Sequence, residues 1–202
     1  MPLTVRPNRK GVNLHFAPDT EDALEFVVLL GDTDPGASRS GRDELETLAD
    51  LATLLAPIAF TGRIDGDAAE LADVRQTRAL LRRVWTLKRD DAVLEVNRML
   101  REAKALPQLA RHDVLDWHLH ATVPEAPLGE RMRVEAALAL IDVIRSDEMG
   151  RLRICEADAC TGLLLDLSRN GSKRFCSVRC GNRMNMIAFR ERRATASPPG
   201  RE

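Results

Sequence analysis

The chain has 202 residues, 44% of them hydrophobic and 30% charged, and its 30 Lys and Arg against 31 Asp and Glu leave a formal net charge of -1. This is the composition of a soluble globular protein with one ordinary domain and room for a small extra module. Five Phe, two Trp and no Tyr supply too little for a platform that stacks single-stranded nucleic acid. Four cysteines are too few for a disulfide scaffold, residues 1–20 lack the apolar core of a secretory signal, and runs such as Phe26–Leu30 are far too short for a membrane span, so a cytoplasmic protein with reduced thiols is expected.

The first 150 residues read mainly as helices. Residues 20–30 place Ala23, Leu24, Phe26, Val27 and Leu30 on one face, with Asp19 as a cap and Gly31 as a stop. Residues 32–41 form a Gly, Ser, Asp and Pro loop. Residues 42–56 repeat Leu45, Leu48, Ala52 and Leu55 at helical spacing and stop before Pro57. Residues 67–88 predict the longest helix, with Leu71, Val74, Leu81 and Trp85 facing inward and Arg75, Arg78, Arg82 and Arg83 outward; residues 90–105 predict another. Between 108 and 122, Val114, Leu115, Trp117, Leu119 and Ala121 approach a period of two, which predicts a short strand or hairpin. Residues 128–144 carry Met132, Val134, Leu138, Ile141 and Ile144 on a further helix.

The near-zero net charge conceals a division. Residues 1–150 hold 19 basic and 26 acidic side chains, whereas residues 151–202 hold 11 basic, 5 acidic and all four cysteines. Such an asymmetry points to a polyanionic partner, although an unstructured basic tail, or arginines that neutralise a thiolate-bound zinc, would give it too. Cys155 and Cys160 form one close pair and Cys176 and Cys180 another, a spacing that suits a tetrahedral zinc ion. Residues 163–167 and 173–175 predict the strands of a connecting hairpin turned at Asn170-Gly171, followed by a helix after Cys180. Four thiolates close the coordination sphere, so this reads as one structural zinc per chain that cross-links a module of about fifty residues with little core of its own.

The expected fold class is therefore a mainly α N-terminal domain with a short hairpin or strands, followed by a treble-clef-like, four-cysteine zinc finger built from a β-hairpin and a helix. The expected divisions are residues 1–150, 151–194 and an unstructured tail at 195–202.

The segments Cys155-Glu-Ala-Asp-Ala-Cys160, Asp166-Leu-Ser-Arg-Asn170, Ser172-Lys-Arg-Phe-Cys176 and Cys180-Gly-Asn-Arg183 resemble the CGNR zinc-finger family of bacterial proteins. In that family a helical ABATE domain precedes the finger, and Leu24-Glu-Phe-Val27, Asp116-Trp-His-Leu-His120 and Glu130-Arg-Met-Arg133 are similar to its recurring pieces. Phe175 stands where Trp is often seen, and the second cysteine pair is one residue closer than in many members. The resemblance implies a stress-related transcription regulator that binds duplex DNA through the finger.

Candidate DNA contacts are Arg169, Asn170, Lys173, Arg174, Arg179, Asn182, Arg183, Arg190, Arg192 and Arg193, since Arg and Lys engage phosphates while Arg and Asn also match base edges. Asn170 is equally a turn residue, and Asn182 and Arg183 could instead orient the thiolates. His118 and His120 share one side of the expected strand and form a candidate ligand pocket or half of a second metal site. The helical domain would sense a small-molecule effector or protein partner. The alternative is a zinc-stabilised protein-interaction module, in which the basic finger docks the acidic domain of another copy without direct DNA binding. No phosphate loop or nucleophile elbow occurs, so no enzyme is expected.

Overall fold

Pro18 sets where the first helix begins. A computed structural model describes residues 16–58, 60, 62–111 and 117–196, and its first helix, α1, is Pro18–Gly31. Asp19, expected as the cap, lies in the first turn because Pro18 occupies the first helical position, where its missing N–H costs nothing, and Ala17 becomes the cap. Helix α2 is only Leu48–Leu55, six residues later than the periodicity suggested. A capping box fixes that start: Asp50 N–H donates to Thr47 Oγ1 at 3.2 Å and Thr47 N–H donates to the Asp50 carboxylate at 2.8 Å. Leu45 is still fully buried, but non-helical backbone carries it there, with Glu44 N–H bonded to Thr33 O at 2.8 Å.

Helix α3 is Ala68–Trp85, capped by Asp67, and α4 is Arg89–Glu102. Leu71, Val74, Leu81 and Trp85 are buried as expected. Arg78 is not on the outside: it is buried and donates twice to the Asp43 carboxylate, at 2.6 and 2.8 Å. Arg82 is half-buried and also engaged. Strands β1 (Gln108–Ala110) and β2 (His118–His120) form the expected antiparallel hairpin, with Leu109 opposite Leu119; Val114 and Leu115 lie outside the described residues. Helix α5, Leu128–Arg145, packs against α1, α3 and α4 and forms the spine of the helical core.

After a 3-10 turn at Met149–Arg151 come β3 (Leu152–Ile154), β4 (Leu163–Leu165) and α6 (Val178–Ala196). The finger's hairpin differs from the one read in the sequence. Leu163–Leu165 pairs with Leu152–Ile154, in the register Leu152 to Leu165, and residues 173–175 are irregular. The hairpin thus encloses the first cysteine pair instead of joining the two pairs. The Asn170-Gly171 turn exists, with Gly171 at φ +57, but a carboxylate organises it. Asp166 is fully buried and accepts from Ser168 N–H at 3.0 Å, Ser168 Oγ at 2.6 Å and Lys173 N–H at 2.8 Å. Helix α6 continues through Ala196, two residues into the expected tail, and residues 197–202 lie outside the described residues.

One hydrophobic core crosses the expected division at residue 150. Leu152, Leu163 and Leu165 belong to the same buried cluster as Leu24, Leu30 and Trp85. A Cβ on Gly31 would overlap Leu163 Cδ1, so the absence of a side chain at 31 lets β4 close onto α1. Polar bonds reinforce the seam: Trp85 Nε1 donates to Arg153 O at 3.0 Å, Arg82 donates to Gly31 O at 2.7 Å and Thr161 O at 3.0 Å, and Thr161 N–H donates to Gly36 O at 3.0 Å. The finger's own second cluster is small and consists mainly of its cysteines, with Ala157, Phe175 and Met184.

Candidate metal centre and basic surface

The hairpin and the last helix each present two thiols. Cys155 follows β3 directly and Cys160 sits three residues before β4; between them the chain makes a tight knuckle in which Ala159 adopts φ +55. Cys155 N–H bonds to Gly162 O at 2.8 Å, which closes the knuckle's base. Cys176 lies just before α6 and Cys180 in its first turn, where Cys180 N–H donates to Ser177 Oγ at 3.2 Å. The two halves join through Glu156 N–H to Arg174 O at 2.9 Å and Cys176 N–H to Cys155 Sγ at 3.4 Å.

The four Sγ atoms lie within 4.8 Å of one another, and Cys160, Cys176 and Cys180 are mutually separated by 3.8 Å. A tetrahedral ion with Zn–S bonds of about 2.3 Å requires sulfur separations of about 3.8 Å. The donor set fits one structural zinc ion, and four thiolates leave no position for a reactive water. Burial pushes the Cys160 and Cys176 thiols above the usual range in the metal-free protein, so metal binding must expel their protons. Gly162 gives the sulfurs room, since a Cβ there would approach Cys176 Sγ to 2.9 Å and Cys160 Sγ to 3.3 Å.

A family model described as CGNR zinc finger matches residues 151–193, and one for ABATE, described as "Putative stress-induced transcription regulator", matches residues 23–147. The chain belongs to the ABATE family and ends in a CGNR zinc finger. No curated protein matches it. No helix among the described residues of this ABATE protein is long and apolar enough to cross a membrane.

All ten basic or Asn positions singled out in the finger are exposed, but they are not equivalent. Arg174 is tied to Glu156, Nε to Oε2 at 2.6 Å, and lies over the Phe175 ring. Lys173 Nζ reaches Leu165 O at 3.4 Å, while Arg169 and Asn170 occupy the turn that Asp166 organises. Arg179, Asn182, Arg183, Arg190, Arg192 and Arg193 are on α6. Arg183 Nη2 donates to Asp158 O at 2.6 Å, which ties the helix to the knuckle. Arg179 Nη1 donates to Arg39 O at 3.0 Å, a contact with the helical region. Residues 189–194 of α6 are exposed on every side.

His118 and His120 do meet, Nε2 to Nε2 at 3.0 Å, and His120 Nδ1 lies 3.1 Å from Glu135 Oε1. Burial pushes the Glu135 carboxyl above its usual range, against the lowering effect of His120. Strand periodicity gives no sign of Glu135, which lies on α5, fifteen residues away and at helical spacing. Among the described residues the four cysteines are the one group of three or more donors whose ligand atoms all lie within 4.8 Å of one another; His118, His120 and Glu135 form a hydrogen-bonded polar chain.

Proposed function

We propose that this ABATE protein is a transcription regulator that binds duplex DNA through α6, with the zinc ion fixing that helix at its base. One observation carries the reading. Arg179, Arg183, Met186, Arg190 and Arg193 recur at intervals of four, three, four and three, which aligns them in one stripe along a helix. From Arg179 to Arg193 the stripe runs roughly 21 Å at the α-helical rise. No carboxylate among the described residues lies within 4.0 Å of the Arg179, Arg183 or Arg190 guanidinium. An α-helix fits the major groove, where such a row meets phosphates along the rim and base edges on the floor. The ABATE region supplies the input, for which the His118–His120–Glu135 chain is the polar candidate, and its core shared with the finger gives a mechanical route to α6.

Mobility shift of a short duplex by the zinc-loaded chain tests this. Binding should weaken steeply as salt rises, because bound phosphates release counterions; absence of any shift at low salt rejects it. A second reading rests on Val178, Met186 and Phe189, which are 80%, 51% and 47% exposed on α6. These apolar side chains suit a protein-interaction surface that pairs two copies. Oligomers in light scattering, together with no affinity for duplex, would favour it.

A further inference from the structure

The acidic helical region carries a basic residue to the foot of α6. The loop after α1 passes alongside the finger, bonded through Thr161 N–H to Gly36 O at 3.0 Å and through Arg179 Nη1 to Arg39 O at 3.0 Å. Between them lies a cleft of about 270 Å³, with residues 35–41 forming one wall and Ala159, Arg179 and Arg183 part of the other. Arg39, Arg179 and Arg183 thus line one cleft from two parts of the chain.

Their charge is not consumed locally. Several arginines elsewhere in the protein pair with carboxylates, such as Arg78 with Asp43 at 2.6 Å, Arg133 with Asp73 at 2.7 Å and Arg174 with Glu156 at 2.6 Å. Around Arg39, Arg179 and Arg183 no carboxylate of the described residues comes within 4.0 Å. The nearby acids are engaged elsewhere: Asp34 Oδ1 accepts from Gly36 N–H at 3.1 Å and lies 3.9 Å from Arg82, and Glu44 Oε1 accepts from Ser40 N–H at 3.0 Å. Arg179 and Arg183 are each anchored by one neutral carbonyl, which leaves four of the five N–H donors of each guanidinium for another acceptor. Zinc with four thiolates carries two negative charges beside this cleft, fewer than the three arginines supply.

We infer that Arg39, Arg179 and Arg183 together bind one backbone phosphate of duplex DNA, so that the helical region and the finger hold the duplex jointly at the base of α6. The inference rests on the duplex-binding reading above and adds to it a contact from outside the finger. A phosphate held there sets the position of the duplex before the α6 stripe meets the groove.

Anisotropy titration of the full zinc-loaded chain with a short random-sequence duplex, at several salt concentrations, tests it. Arg39→Ala should weaken binding several-fold at low salt and reduce the slope of log affinity against log salt by about one, the effect of one lost phosphate contact. Arg39→Lys should restore most of both. Arg101→Ala, an exposed position on α4 far along the chain from the cleft, should leave the slope unchanged. The Arg39 side chain is exposed and its carbonyl, not its guanidinium, holds Arg179, so Arg39→Ala should melt as the parent does. A wild-type slope in Arg39→Ala overturns the joint site and leaves the α6 reading standing, as does an equal loss in Arg101→Ala. No duplex binding by the unaltered chain overturns both.

Discussion

Asp32, the residue that caps the C-terminus of α1, accepts a hydrogen bond from the backbone N–H of Leu163 in β4 at 2.7 Å. This carboxylate sits in the seam between the helical core and the finger. Burial pushes its pKa to about 6, against the lowering effects of the Leu163 N–H and Arg82. A carboxyl whose folded pKa exceeds the unfolded one favours folding below about pH 4, and the advantage is lost as pH rises through 6. Asp32→Asn keeps an acceptor for Leu163 and removes the charge. It should stabilise the protein by on the order of 2 kcal/mol at pH 7.5 and have little effect at pH 4. Urea melts at the two pH values check this; equal effects at both would mean that the charge is not the determinant.

Asp43 and Arg78 have the opposite sign. The Arg78 guanidinium, bonded to both Asp43 oxygens, holds that carboxyl down at about 2. Stability from this pair is present above the unfolded pKa near 4 and disappears as pH falls toward 2. Asp43→Asn leaves a buried guanidinium without its counter-charge and should cost about 2 to 3 kcal/mol at pH 7. The penalty should shrink in melts below pH 3, and a pH-independent penalty would point to lost packing instead.

Zinc removal should divide the finger instead of unfolding all of it. Leu152, Leu163 and Leu165 are held by the helical core, whereas the distal half has chiefly its cysteines for a core. After chelation, hydrogen exchange should accelerate in residues 155–161 and throughout α6, while β3 and β4 stay protected. Loss of protection across the hairpin as well would show that the metal supports the seam.

Two small residues near the sulfurs should respond in opposite directions. Ala159 occupies the left-handed region at φ +55, where a Cβ costs roughly 1 kcal/mol, so Ala159→Gly should modestly raise the melting temperature of the zinc-loaded protein. Gly162→Ala would press a methyl group to 2.9 Å from Cys176 Sγ and should lower zinc affinity at least several-fold in competition with a chromophoric chelator. Unchanged affinity would mean that the knuckle relaxes freely.

Long helices with simple periodicity were legible: α3 and α5 lie where Leu71, Val74, Leu81, Met132 and Val134 placed them, and α4 falls close to the helix expected over residues 90–105. So was the metal centre, because ligand type and spacing are local properties of the chain. What escaped was decided by distant partners. Leu45 kept helical spacing without a helix because the Thr47–Asp50 box and the Asp43–Arg78 pair claim its surroundings. Leu163–Leu165 chose Leu152–Ile154 over residues 173–175 because pairing there lets its leucines join the main core. Arg39 gave no signal, as one of 19 basic residues scattered through a net-acidic half.

The approach of Leu163 to the bare backbone of Gly31 has a consequence for inheritance. Positions 31 and 163 lie in the two separately matched regions, yet a side chain at 31 would collide with Leu163. A finger that carries leucine at 163 would need a partner region with no side chain at 31. The pair should therefore pass through evolution as a single unit, and chimeras joined at residue 150 should succeed or fail on that match.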